Sequence, residues 1–240
     1  MAIKEIVPGL FELPLGMVNA FLIVEADGLT LIDTGVAASS GKILSAIQEL
    51  GKQPSDIRRI LVTHCHGDHT GSLAELKEKS GAPAYMHPED AAMVRVGQSM
   101  RPLTPGPSLI ARLLFRLILN RSEHNTIAPA EIEQEVTDGE ELPVAGGLTA
   151  IHVPGHCAGQ LAFLWPQHGG VLFVADAAAN IIRLGWSIAY ENLDIGKQSL
   201  AKLAGLEFEI ACFGHGKAIV TGASERFRQK WSTFQSPSDS

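Results

Sequence analysis

Three histidines and an aspartate fall within six residues of Thr63-His64-Cys65-His66-Gly67-Asp68-His69-Thr70-Gly71, directly after the apolar run Ile60-Leu61-Val62. Imidazole and carboxylate suit zinc and its first-row neighbours. Four such groups at the end of an apolar strand do not serve core packing. The short buried strand that precedes them therefore delivers the chain into a cluster of polar groups. On an extended segment the side chains of i and i+2 point the same way. His64 and His66 can thus share one metal while Cys65 points elsewhere. A turn at Gly67 lets Asp68 and His69 reach a second metal.

The rest of the chain reads as alternating strands and helices. Residues 18–25 form a strongly apolar strand, Asp27-Gly28 a turn, and residues 29–32 the returning strand, closed by Asp33-Thr34-Gly35. Ser39 or Ser40 caps a helix to about Leu50, stopped by Gly51. Residues 59–63 are a short buried strand leading into His64. Gly71-Ser72 opens a helix that Gly81 ends, and residues 84–86 are a strand. From 88 to 130 the pattern changes. One helix starts at Pro88, Pro102, Pro105, Gly106 and Pro107 interrupt, and a second helix covers 108–120. This stretch reads as a helical insert within a single domain spanning 1–240. Strands return at 132–136, 148–153, 161–165, 171–175 and 209–213, with helices at 197–206 and 224–234 and a loose tail from 235. Each half reads as strand–turn–strand, then a helix, then a strand delivering a histidine, Leu61-Val62-Thr63-His64 early and Ala211-Cys212-Phe213-Gly214-His215 late, a weak internal echo.

Composition narrows the partners. The 240 residues carry a formal net charge of −7, which argues against nucleic acid, whose phosphates need a basic face. Hydrophobic residues make up 45%, enough for a full core. No run approaches the roughly 18 apolar residues of a membrane span, so stable membrane insertion is not expected. The first ten residues lack a signal-peptide pattern, and three cysteines (Cys65, Cys157, Cys212) form no disulfide framework. A cytoplasmic location is the expectation.

His64-x-His66-x-Asp68-His69 resembles the signature of the metallo-β-lactamase superfamily. That pattern asks for three further residues, and each is in place. His156 sits in Val153-Pro154-Gly155-His156, Asp176 follows Val171-Leu172-Phe173-Val174-Ala175, and His215 lies between Gly214 and Gly216. Asp33 matches the family's early aspartate, which supports the ligands without binding metal. The resemblance runs in order over about residues 10–220. It implies an α/β fold, the αββα four-layer sandwich. It also implies that His64, His66 and His156 hold one metal, that Asp68, His69 and His215 hold the other, and that Asp176 bridges them. Two zinc ions per chain are the expectation, with iron or manganese also compatible with these donors.

Paired metals about 3.5–4 Å apart can share a water and lower its pKa toward about 7, giving a nucleophilic hydroxide at neutral pH. Asp68 is the candidate for orienting that hydroxide and moving its proton. Tyr190 is the candidate donor to the oxyanion, against a role in packing. The expected reaction is hydrolysis of a carboxylic ester, lactone or thioester of a small molecule, with lactone or ester ahead of thioester. Only about 25 residues follow His215, short of the glutathione-gripping region of glyoxalase II-like relatives. The alternatives are a mononuclear iron enzyme oxidising a thiol or persulfide, a β-lactam hydrolase, and a binder without turnover.

His87, His124, His152 and His168 fall outside the pattern and read as surface or internally bonded histidines. Cys65 and Cys157 adjoin ligands and read as buried side chains or as thiolates near the metals. In 108–120, Arg112 and Arg116 share a helix face, and residues 91–121 hold Arg95, Arg101, Arg112, Arg116 and Arg121 with no acid. Three readings fit: a lid attracting an anionic or acyl-bearing substrate, a homodimer or membrane-touching surface, and a helix docked on the core.

Overall fold

The run Asn-Ala-Phe-Leu-Ile-Val-Glu does form a strand, β3 (Asn19–Glu25), and its apolar side chains are buried on both faces at the start. It turns through Asp27 into β4 (Gly28–Ile32), every residue of which is buried. Ahead of them β1 (Lys4–Val7) and β2 (Leu10–Pro14) pair antiparallel, giving a four-strand meander. The computed structural model describes residues 3–118 and 126–234. These form two compact units, one built mainly from residues 3–100 and 126–137 and the other from 101–118, 138–142 and 146–234.

In the first unit, β4 leads through α1 (Ser40–Glu49) to the parallel strand β5 (Ile57–Leu61). The helix buries Ile43, Ala46 and Ile47, the i, i+3, i+4 stripe of a helix laid on a sheet. Its entry differs from the sequence expectation. Ser39 occupies the cap position but makes no capping bond with its side chain. Ser72 Oγ instead accepts the N–H groups of Ser39 and Ser40 at 2.9 and 3.1 Å. After β5 come the one-turn helix α2 (Gly67–Thr70) and α3 (Leu73–Ser80), ended by Gly81 in the left-handed conformation. β6 (Ala84–Met86) and α4 (Pro88–Arg95) follow. The chain then leaves through β7 (Thr104–Pro105) and α5 (Leu109–Ile118), which belong to the second unit. It returns for β8 (Gln134–Glu135), which completes a sheet in the order β1-β2-β3-β4-β5-β6-β8. The 88–130 stretch read as one insert is thus divided between the units. The expected end of its second helix, with Arg121 and His124, lies outside the described residues.

The second unit repeats the plan. β9 (Glu141–Leu142), β10 (Leu148–His152), β11 (Leu161–Trp165) and β12 (Val171–Ala175) run antiparallel. A hairpin of β13 (Ala178–Ala179) and β14 (Gly185–Trp186) follows, then β15 (Ala189–Tyr190), which pairs with β7. α6 (Leu193–Ala204) crosses to β16 (Ile210–Phe213), parallel to β12, and α7 (Ala223–Trp231) closes the chain. Leu172, Val174 and Ala162 of the sheet pack with Leu200, Leu203, Phe227 and Trp231 of the helices. The echo read from sequence is therefore structural. β4-α1-β5 delivers His64, and β12-α6-β16 delivers His215. Among the described residues no helix is long and apolar enough to cross a membrane.

One crossing demands glycine. Gly155, immediately before His156, has φ +131, and a Cβ there would collide with the backbone of Gly196 in α6. Both strain and overpacking would be incurred, so Gly155→Ala is expected to cost about 3 kcal/mol of stability. Urea denaturation measures it. A loss below about 1 kcal/mol would show that the loop can move away from the helix.

Candidate metal centre

In the first unit the segment after β5 is fixed by the loop after β4. Asp33 N–H donates to Leu61 O, and Thr34 donates to His69 O through both its N–H and its hydroxyl, the latter at 2.7 Å. Gly71 N–H donates to Gly35 O. Asp33 itself is buried with φ +61, a conformation uncommon for a non-glycine residue and the kind found where structure enforces function. Its carboxylate accepts from Thr63 N–H (2.8 Å) and the Thr63 hydroxyl (2.8 and 3.0 Å), and pairs with His69 Nδ1 at 2.8 Å. Thr63 Oγ1 also lies 3.0 Å from His64 Nδ1. A histidine whose Nδ1 is held by a carboxylate or hydroxyl ligates through Nε2 with its ring fixed.

The ring spacing fits a metal. His64 Nε2 and His66 Nδ1 lie 3.2 Å apart. Two nitrogens bound tetrahedrally to one zinc at about 2.05 Å would stand about 3.3 Å apart. His66 is extended and precedes α2, whose single turn carries Asp68 and His69. His69 Nε2 and Asp68 Oδ2 are 3.9 Å apart, and Asp68 keeps 37% of its side chain exposed while His69 is fully buried. The expected turn at Gly67 is thus one turn of helix.

The second unit supplies the other candidates. His156 Nδ1 lies 2.7 Å from Ala189 O and 3.1 Å from Ser187 Oγ, so that Nε2 is the atom that could ligate. That Nε2 is 3.6 Å from Asp176 Oδ2, and His215 Nε2 is 3.0 Å from the same oxygen. Asp176 follows Ala175, whose φ is +51, and Gly214 N–H donates to Ala175 O. A strained residue at the end of β12 thus aims Asp176, as Asp33 is set at the end of β4. One oxygen of Asp176 thus stands beside both imidazoles.

A model of the metallo-β-lactamase superfamily matches residues 13–215. The chain belongs to that superfamily. It is 27% identical to a probable metallo-hydrolase, YflN, of Bacillus subtilis (strain 168), over 88% of this chain and 85% of that one. It is 28% identical to the thioesterase pkgB of Emericella nidulans, over 84% of this chain but only 46% of that one. Among solved structures it resembles BJP-1, a subclass B3 metallo-β-lactamase of Bradyrhizobium japonicum, with TM-score 0.72 and 21% identity over 97% and 91% of the two chains. The fold is accordingly the metallo-β-lactamase fold, and the chain is by membership a metallo-hydrolase.

Within the superfamily pattern, the first unit gathers His64, His66, Asp68, His69 and Asp33, and the second gathers His156, Asp176 and His215. Tyr190 lies in the second unit with its ring 6.2 Å from that of His156. Its hydroxyl donates to Ala177 O (3.2 Å) and accepts from Ser187 N–H (3.0 Å). Burial raises the pKa of this phenol, the Ser187 N–H opposes that, and the charge of Asp176 adds to the rise. It stays protonated, with its proton committed to Ala177. Cys65 turns toward α4, where its N–H donates to Asp90 and its sulfur lies 3.9 Å from Met93 Sδ. Cys157 donates to Glu191 at 3.3 Å. His87 caps α4, and His152 Nε2 lies 2.8 Å from Ala158 O. The basic patch read from sequence is reduced by pairing: Arg95 binds Glu131 and Glu135, and Arg101 binds Glu191. Arg112 and Arg116 are exposed. Thr63, Thr34, Ser187 and the Ala189 carbonyl were not candidates from sequence. Asp-Thr-Gly and Thr-His carry a faint signal for the first two, and nothing marks the others.

Proposed function

We propose that this protein is a two-metal hydrolase of an acyl bond in a small molecule, a carboxylic ester, lactone or thioester. The carrying observation is the set of histidines whose Nδ1 atoms are tied down: His69 on Asp33, His64 on Thr63, His156 on Ala189 and Ser187. Such tethering serves ligation. His64, His66 and His156 would hold one ion, Asp68, His69 and His215 the other, with Asp176 shared, as the superfamily pattern orders them. When bound, two zinc ions supply water activation and Lewis acidity toward the acyl oxygen. Asp68, the most exposed carboxylate of the set, takes and returns the proton at its Oδ atoms. The name of pkgB supports the thioester among the three bonds.

Tyr190 is assigned a positioning role. It braces Ser187, which in turn touches His156. Tyr190→Phe is expected to lower stability by about 1–2 kcal/mol and kcat by less than about tenfold. Loss of an oxyanion donor would instead lower kcat by about 100–1,000-fold, so the two roles separate in one measurement.

The reading is tested on protein purified without added metal, by counting ions per chain and assaying an acyl thioester, an aryl ester, a lactone and a β-lactam. About two zinc ions with turnover of the ester, lactone or thioester is the expected result. One iron with oxygen uptake and no hydrolysis overturns it.

A further inference from the structure

The second unit contains an apolar groove of about 500 Å³ that the metal chemistry does not use. Small-molecule sites measure roughly 300–1,000 Å³. One wall is α5, through Ala111 and Leu114, and the other is the β13–β14 hairpin and its continuation, through Ile182, Trp186 and Ile188. Outside the groove, α5 leaves Leu109, Leu113 and Leu117 exposed by 81%, 59% and 54%, a row at i, i+4, i+8. Ile182 on the hairpin is 90% exposed. An apolar groove flanked by such a row marks a binding surface rather than scattered surface leucines.

Charge selects the occupant. The charged residues lining the groove are Arg183 and Lys230, and no carboxylate is among its described lining residues. Arg112 and Arg116 add exposed cations on α5. In a chain of net charge −7 this is a local reversal of sign. We propose that the groove binds the alkyl chain of a single-chain anionic amphiphile, with Arg183 and Lys230 meeting its head group. The site stands whether or not the hydrolase reading holds. It does touch that reading through one segment. Trp186 and Ile188 face the groove, while Ser187 and Ala189 hold His156. A chain bound in the groove would therefore pack against the residues that neighbour Ser187 and Ala189 in sequence, and so against the segment that holds His156.

The test uses the whole purified protein, following tryptophan fluorescence and calorimetric binding of hexanoate, octanoate, decanoate and dodecanoate below their micelle concentrations. Decanol and decylammonium serve as neutral and cationic counterparts. Affinity is expected to rise about fourfold per buried methylene until the groove is full, and decanoate should bind at least about tenfold tighter than decylammonium. Leu114→Trp, at a half-buried helix position, should weaken every chain by about tenfold or more by filling the groove. Arg183→Glu should erase the preference for decanoate over decanol and leave decanol binding intact. Thermal melts of both variants check folding, and the unaltered protein carries the chain-length test by itself. Affinity independent of chain length overturns the proposal. So does binding lost on removal of metal by a chelator, which would place the carboxylate on a metal ion. A dimer buried through α5 that binds no chain overturns it as well.

Discussion

Asp176→Ala is expected to lower hydrolysis by about a thousandfold or more, equivalent to ~4 kcal/mol of transition-state stabilisation, and to release bound metal. The reason is geometric. One oxygen of Asp176 stands 3.0 Å from His215 Nε2 and 3.6 Å from His156 Nε2, so a single carboxylate serves both histidines. Removing it takes a ligand from each ion of the proposed pair and leaves two imidazoles with no anion between them. Alanine already precedes and follows this position, and Ala177 makes its contact with Tyr190 through its main-chain carbonyl, so the fold should persist. Metal analysis and kcat measured on the same sample check both halves. Full metal content with more than about a tenth of the activity would remove Asp176 from the proposed site. His66→Ala should act in the same direction with a smaller loss of metal, because His66 contributes to one ion only.

The site residues were legible because their side chains carry the chemistry and their order follows the superfamily pattern. What supports them was not. The partner of His156 Nδ1 at 2.7 Å is a main-chain carbonyl, Ala189 O, and every residue type has one. Charge counting over 91–121 finds arginines and no acid, yet Arg95 meets acids 36 and 40 positions away and Arg101 meets Glu191, 90 positions away. A window along the chain cannot register partners that the fold brings in. Helix ends failed for a related reason. α6 begins at Leu193 because Asn192 Oδ1 accepts from Asp194 and Ile195 N–H, four residues before the apolar period becomes visible at Lys197. Gly196 weakens that first turn as a sequence signal, and the structure explains it, since Gly155 crosses there. Ser39 looks like a cap for α1, but Ser72, 33 residues later, does the work. In contrast β11 and β12 came out at the residues read from their apolar runs, because a strand buried on both faces needs no partner to be identified.

Asp33→Asn isolates the support from the ligands, and the expected result is a 10–100-fold loss of metal affinity with the fold retained. Asparagine tolerates the left-handed conformation that Asp33 adopts, so the backbone has no reason to rearrange. The carboxylate now accepts Thr63 N–H at Oδ1, pairs with His69 Nδ1 at Oδ2, and takes the Thr63 hydroxyl between the two oxygens. An amide has one acceptor and one donor end. Thr63 N–H cannot change its role, so the amide oxygen must face Thr63, and the NH₂ group then points at His69 Nδ1. That nitrogen must give up its proton to accept the bond, and the neutral ring moves the proton to Nε2, the atom with which His69 would ligate. Metal binding must then pay to restore the other tautomer. Chelator competition measures the affinity, and imidazole ¹⁵N shifts of the metal-free protein report the tautomer directly. A variant with the Nε2–H tautomer and weakened metal binding supports this account. Unchanged affinity would show that Asp33 serves the fold of the 63–71 loop and not the chemistry of His69. Asp33→Ala should differ in kind. It leaves Thr63 N–H and His69 Nδ1 without their buried acceptor and puts alanine in the left-handed region, so a stability loss of at least about 3 kcal/mol should accompany the loss of metal.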